Sequence, residues 1–241
     1  FSVAGGSASH GIASWNGTTW LSILGNLVNT THVHAIATSA TDIFLGGQYV
    51  GGSSTGSAVA RFDGSAWNSI DHTSDPTATA HALAILPNGN VVAGGGFAGI
   101  NSVPADHLAI GYLPSPSLPA PQWAAPGVLS GYVGDVAARP DGTLVVAGSF
   151  FAPGIAGPTS LATFDGVNWT SLQAGITGSA NRVLALPGGD IAVATATNGV
   201  FRWNGASIVP LAPLPGLFVN ALAIANGELR LSRMPDSPVD V

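Results

Sequence analysis

A chain of 241 residues in which 46% are hydrophobic and only 7% charged has enough apolar surface to offset the entropy of ordering, which excludes disorder. Its formal net charge of −6, carried against arginines alone with no lysine and no basic run, leaves nothing to neutralise a phosphate backbone, so nucleic acid is excluded as a partner. Every apolar run is broken well short of the roughly 20 residues of a membrane span, and the absence of cysteine removes disulfides, thiolate metal sites and thiol nucleophiles.

The chain opens on Phe1-Ser2-Val3-Ala4-Gly5-Gly6, without a basic leader or initiator methionine, as expected of a processed chain or an excised segment. Residues 1–24 then carry Ala13-Ser14-Trp15-Asn16-Gly17 followed by Trp20, predicted as the second to fourth strands of a unit whose first strand lies elsewhere. That first strand is recognisable downstream as a repeated phrase. It reads Val33-His34-Ala35-Ile36-Ala37, then Ala80-His81-Ala82-Leu83-Ala84, Val133-Gly134-Asp135-Val136-Ala137, Asn181-Arg182-Val183-Leu184-Ala185 and Val219-Asn220-Ala221-Leu222-Ala223. The copies are spaced by roughly 40 to 50 residues, the length of a propeller blade.

Each phrase is followed by a turn and a second strand, as in Asp42-Ile43-Phe44-Leu45-Gly46-Gly47, Asn88-Gly89-Asn90-Val91-Val92, Asp141-Gly142-Thr143-Leu144-Val145 and Gly189-Asp190-Ile191-Ala192-Val193. Asn-Gly and Asp-Gly between apolar runs are strong hairpin signals. A third strand ends in a further turn at Asp63-Gly64, Asp165-Gly166 and Asn204-Gly205, and Trp67, Trp169 or Ile208 opens a short outer strand three residues on. The reading is therefore all-β: a β-propeller of about five four-stranded antiparallel blades, with the ring closed by pairing the N- and C-terminal segments. The repeats fall at about 1–24 plus 219–234, 29–72, 79–127, 131–173 and 180–212 of a single domain covering 1–241. Glu228-Leu229-Arg230-Leu231-Ser232 reads as an additional second strand that competes with residues 1–6 for one place.

The phrases Pro87-Asn88-Gly89-Asn90-Val91-Val92-Ala93-Gly94-Gly95-Gly96-Phe97 and Pro140-Asp141-Gly142-Thr143-Leu144-Val145-Val146-Ala147-Gly148-Ser149-Phe150 resemble the delta-60 class of bacterial secreted propeller repeats. The Asp-Gly-x-x-Trp tails are similar to kelch repeats. The resemblance implies a propeller architecture and an extracellular or cell-surface setting, in families that include adhesive surface proteins, lectins and modules of large exported polypeptides.

Several spellings of chemistry are expected to be structural. Gly94-Gly95-Gly96-Phe97-Ala98-Gly99 spells a dinucleotide loop, but no helix follows to hold a pyrophosphate, so a turn or bulge is expected. Gly52-Ser53-Ser54-Thr55-Gly56 spells a nucleophile elbow within a Gly/Ser-rich loop. With one glutamate, Glu228, and most aspartates in turns, paired-carboxylate catalysis is disfavoured. Asn16-Gly17-Thr18, Asn29-Thr30-Thr31 and Asn168-Trp169-Thr170 spell glycosylation acceptors.

The variable second position of the phrase gives the candidate ligand ring, because a propeller's first strand lines its central channel. It comprises His34, His81, Arg182 and Asn220, with Asp135 one residue along and His32 on the face of His34. A second candidate, a recognition loop, consists of Tyr112 and Trp123 flanking the Pro-rich insertion from Leu113 to Pro121. No catalytic residue, metal ligand or cofactor is assigned. The expected function is a non-enzymatic exported module that binds protein or self-assembles, without membrane insertion. The alternatives are a lectin-like carbohydrate binder and an enzyme built on the His34, His81 and Arg182 positions.

Overall fold

The computed structural model describes residues 2–9, 11–23, 30–49, 57–71, 77–113, 121–212 and 218–233. The chain divides into two compact units, Phe1–Ile85 with Gly89–Ala125 and Leu86–Asn88 with Pro126–Val241. In the first, β1 (Val3–Ala4) pairs with β2 (Ser7–Ala8) and β3 (Ser14–Trp15) with β4 (Trp20–Leu21), as two short hairpins. A four-stranded meander follows, formed by β5 (Thr30–Thr38), β6 (Ile43–Tyr49), β7 (Ser57–Phe62) and β8 (Trp67–Ser69). The next begins with β9 (Thr79–Ile85) and β10 (Val91–Gly96), is interrupted by a hairpin of β11 (Gly99–Ile100) and β12 (Val103–Pro104), and ends with β13 (Leu108–Tyr112) and β14 (Gln122–Ala124).

The second unit holds two further four-stranded antiparallel sheets. One is β15 (Ser130–Ala138), β16 (Leu144–Phe151), β17 (Thr159–Phe164) and β18 (Trp169–Ser171), after which a single 3-10 turn spans Gln173–Gly175. The other is β19 (Ala180–Ala185), β20 (Ile191–Thr195), β21 (Gly199–Trp203) and β22 (Ile208–Ala212). Strand β23 (Val219–Ala225) pairs with β24 (Glu228–Arg233), so the segment expected as an additional second strand takes that place beside the fifth copy of the phrase.

Sheets of this kind have two apolar faces and need a neighbour on each. Every residue of β17 and β20 is buried, as is all of β10 except Gly96; β10 and β20 accordingly read as runs of small and branched residues, while β17 interleaves buried Thr159, Ser160 and Thr163 with its apolar residues. Between the two sheets of the first unit lie Phe44, Val59, Ile70, Val91, Phe97 and Trp123. Between those of the second lie Val145, Leu161, Val183, Ile191, Val193 and Trp203. Arg139 spans the second pair at the surface, stacking its guanidinium 4.8 Å from the centre of the Trp203 ring while its Nε donates to the Gly189 carbonyl at 2.8 Å.

The turn before each outer strand is made the same way. The side-chain oxygen of Asn16, Asp63, Asp165 or Asn204 accepts the backbone N–H groups two and three residues on, at 2.7 to 3.0 Å. The glycine that follows sits at φ 98, 93, 101 and 98°, conformations that a Cβ disfavours. The donated bonds hold the carboxyls of Asp63 and Asp165 below the usual carboxylate range, led by the N–H of Ala66 and of Asn168 respectively.

Candidate functional site

The variable position of the repeated phrase is a β-bulge. In four of the five copies pairing skips that residue, His34 in β5, His81 in β9, Gly134 in β15 and Asn220 in β23; in β19 the skip falls one residue earlier, on Asn181, and Arg182 stays in the ladder opposite Ala194. A bulged residue leaves the ladder and its side chain is re-aimed, so the position is free of the packing that fixes its neighbours. The bulge also pushes the inner strand against the second strand. A Cβ placed on Gly47, Gly95 or Gly148 would stand 2.1 Å from the carbonyl oxygen of His32, Thr79 or Tyr132. The glycines within these three second strands are thus explained by backbone contact, and the Gly94-Gly95-Gly96 spelling falls opposite the bulge, with the shift between Gly94 and Gly95.

In the first unit the bulges gather imidazoles. His32 and His34 lie on one face of β5 with near-parallel rings, 6.0 Å between centres and 16° between planes. His81, from the adjacent β9, places its ring 5.0 Å from that of His34 at 62°. Partial burial lowers the His34 pKa, and the neighbouring His32 charge lowers it further. Among the described residues no group of three or more His, Cys, Asp or Glu is arranged to hold a metal ion. His107 stands apart from this cluster: its Nδ1 donates to the Gly95 carbonyl at 3.0 Å, and its own carbonyl accepts the Gly95 N–H at 3.0 Å.

In the second unit polar residues at and beside the bulges lace the inner strands together. The Asp135 carboxylate accepts the N–H of Val136 and, from the next sheet, the N–H of Val183, both at 3.0 Å. Arg182 donates from Nε to the Asn220 carbonyl at 2.7 Å and from its terminal nitrogen to the Asn181 carbonyl at 2.6 Å. The Asn181 amide nitrogen donates to the Val219 carbonyl at 2.7 Å, while its Oδ1 is enclosed without a partner. Burial pushes the Asp135 carboxyl up to about 6, outweighing the Val183 N–H, the Arg182 charge and the Val136 N–H, which act in the opposite sense.

Of the expected ring, His34 and His81 are therefore brought together in one unit, and Asp135, Arg182 and Asn220 in the other. Asn181 was not singled out by its sequence, because the fourth copy of the phrase places two polar residues side by side. The distinguishing signal lies on the partner strand, where buried Thr195 stands opposite Ala180 in place of the glycine opposite Val33, Ala80 and Val133. Tyr132 and Phe218, the residues just before the Val of their phrases, are exposed aromatic groups that composition alone did not mark.

The second expected site divides likewise. Tyr112 is exposed at the end of β13, whereas Trp123 is buried on β14 and its indole N–H donates to the Ile70 carbonyl at 2.8 Å. Trp67 does the same to Ile23 at 2.6 Å and Trp169 to Pro126 at 2.8 Å, so Trp123 is the third member of a set that ties an outer strand to the preceding connection. Residues 114–120 of the insertion, the Gly52 to Gly56 loop and Asn29 lie outside the described residues. Buried Asp71 is a further structural carboxylate, accepting the N–H groups of Ala58 at 2.9 Å and Val59 at 2.8 Å. Gln173 accepts the Ser160 N–H at 2.9 Å in the corresponding place of the third sheet.

No protein-family model matches the sequence, and no curated protein does. Solved structures do match in shape. The chain is similar to the extracellular domain of the B. thetaiotaomicron two-component system BT4673, with TM-score 0.59 and 12% identity over 94% of this chain and 28% of that one. It is similar to YCF48 bound to D1 peptide, with TM-score 0.55 and 14% identity over 90% and 67%. It is also similar to the GH74 enzyme of Niastella koreensis, with TM-score 0.55 and 16% identity over 87% and 34%. The chain thus spans 28% and 34% of the lengths of BT4673 and the GH74 enzyme. These likenesses show the fold: this is a β-propeller protein, of a class that contains both enzymes and binding proteins.

Proposed function

We propose that this chain is a non-enzymatic, exported propeller module that binds a protein segment, akin to the delta-60 and kelch-like repeats of bacterial surface proteins. The observation that carries the reading is the use made of the polar inner-strand residues. One oxygen of Asp135 and one nitrogen of Arg182 are bonded to backbone of a neighbouring strand and the other of each to backbone of its own strand, so the buried carboxylate and its neighbouring guanidinium hold the fold rather than serve a reaction. Apolar groups meanwhile face solvent in each unit: Val3, Trp15, Trp20 and Leu21 in one, and Leu211, Phe218, Ile224 and Leu231 in the other. Exposed aromatic and aliphatic side chains of this kind favour protein contacts. YCF48, of similar fold, is described with a bound peptide.

The test is selection of peptides from a displayed random library against the purified chain, followed by calorimetry on the winners. Micromolar or tighter peptide binding, on the order of −8 kcal/mol, is the expected result. Silence against peptides together with binding on a glycan array, or turnover of a polysaccharide, would replace this reading with a lectin or an enzyme.

A further inference from the structure

We propose that His32, His34 and His81 form a binding site for a carboxylate or phosphate group that opens at mildly acidic pH. The site goes beyond the peptide-binding reading, since a small oxyanion or an acidic peptide group satisfies the same chemistry.

The geometry gathers three imidazoles within a small patch from two adjacent strands. His32 and His34 stack 6.0 Å apart along β5, and His81 of β9 meets His34 at 5.0 Å. Two of the three, His34 and His81, occupy bulges, whereas at the bulge of β19 the Asn181 side chain is bonded to the Val219 carbonyl. Neither His32 nor His34 is bonded to a carboxylate among the described residues. The strands packed against β5 are β6 and β9, and neither contains an aspartate, a glutamate or an arginine. Residues facing the cluster from them are Gln48, paired with His32, and His81 itself. The nearest charges on the same sheet, Asp42 and Arg61, are paired with each other at 2.8 Å near the opposite end of β6.

Protonation therefore adds like charges to His32 and His34 with no carboxylate on the packed strands to offset them. An oxyanion entering the patch removes that repulsion and accepts the N–H groups that protonation creates, in charge-assisted hydrogen bonds. Partial burial of His34, and then the His32 charge, lower its pKa, so in the unliganded patch this imidazole takes up its proton only in acid. Anion binding and proton uptake are then linked, and each strengthens the other.

The experiment is an imidazole-resolved NMR titration of the whole chain with inorganic phosphate, with acetate and with a short acidic peptide, at about pH 5.5 and about pH 7.5. The expected result is affinity at least about tenfold tighter in acid, with shifts confined to these three histidines and an upward move of their titration midpoints. His34→Gln keeps a hydrogen-bonding side chain but not the titration, and is expected to flatten the pH dependence. His81→Gln serves as the second variant, and thermal unfolding confirms that each folds. Phosphate binding by itself identifies a small-anion site; a peptide bound about tenfold more tightly than phosphate identifies an acidic segment as the source. Affinity that is independent of pH, or undiminished in both variants, would overturn the proposal. Library peptides that bind His34→Gln as well as the parent leave the protein-binding module standing without this site.

Discussion

The two units apply one backbone device to opposite ends. Each inner strand carries a bulge at or within one residue of the same place in its repeat; the first unit fills the position with imidazoles that face one another, whereas in the second Asn181 at a bulge, and Asp135 and Arg182 each beside one, bond to the next strand's backbone. A bulge leaves a side chain without a prescribed partner in the ladder. What occupies it decides whether the position tightens the structure, as around Asn181 and Arg182, or stays open to a ligand, as around His34. The comparison teaches that position in a repeat identifies where function can arise, while the bonds of each side chain determine whether it does.

The device itself is the place where a substitution costs most. Gly148→Ala puts a Cβ 2.1 Å from the Tyr132 carbonyl oxygen, a backbone atom held by its own strand. A loss of about 3 kcal/mol or more is expected, read as a shift in the urea midpoint. Thr195 already stands at the corresponding place of the fourth sheet, where pairing shifts around Asn181, so Thr195→Gly should cost only about 1–2 kcal/mol, from lost burial and its bond to the Gly199 carbonyl at 3.2 Å. Equal losses at both places would show that the bulge geometry does not differ as described.

Next in size is the contrast between lacing and open residues. Asp135→Ala deprives the Val136 and Val183 N–H groups of their acceptor and leaves Arg182 without its neighbouring charge. A loss of about 2–4 kcal/mol follows from stranding buried donors. His34→Ala, at an exposed position, should change stability by less than about 0.5 kcal/mol. Comparable effects of the two substitutions would erase the distinction between the units.

The inner strands were legible from the phrase because its apolar spelling repeats: Ile36 and Ala37 have an aliphatic residue and an alanine as counterparts in every copy, and each copy begins a sheet. The turns were legible because Asp63, Asp165 and Asn204 precede glycines that must adopt positive φ. The destination of the polar side chains was not. Nothing in the order Gly134-Asp135 says that the carboxylate reaches Val183, 48 residues away, because that bond depends on how the bulge turns the strand. Trp123 was hidden for a different reason: its sheet lacks the Asp-Gly turn and carries an insertion, so its distance from the phrase does not match that of Trp67 or Trp169.

The pH responses of the units should have opposite signs. Asp135 has its pKa raised to about 6 by burial, so its contribution is complete below the ordinary carboxyl value of 3.8 and is lost as pH rises through about 6. His34 is lowered from 6.5, by burial first and then by His32, so its contribution is present above 6.5 and is lost as pH falls through its depressed value. Acidification from about pH 7.5 to about pH 5 should therefore strengthen the second unit relative to Asp135→Asn, on the order of 1 kcal/mol, and weaken the first relative to His34→Gln by less. Hydrogen exchange corrected for the intrinsic pH dependence resolves the two units in one sample. Responses of the same sign in both would mean that groups other than these dominate.

The smallest effect tests whether Trp123 belongs with Trp67 and Trp169. Replacing each by Phe removes one indole N–H from a carbonyl, that of Ile70, Ile23 or Pro126, while retaining an aromatic ring in the core. If the three are equivalent, each substitution should cost about 1 kcal/mol plus a small packing loss, and none should weaken peptide binding. A Trp123→Phe chain that keeps its stability but loses its ligand would restore this residue to the recognition surface. Exposed Tyr112, eleven residues earlier on β13, supplies the internal control, because Tyr112→Phe touches the same edge without disturbing the buried bond.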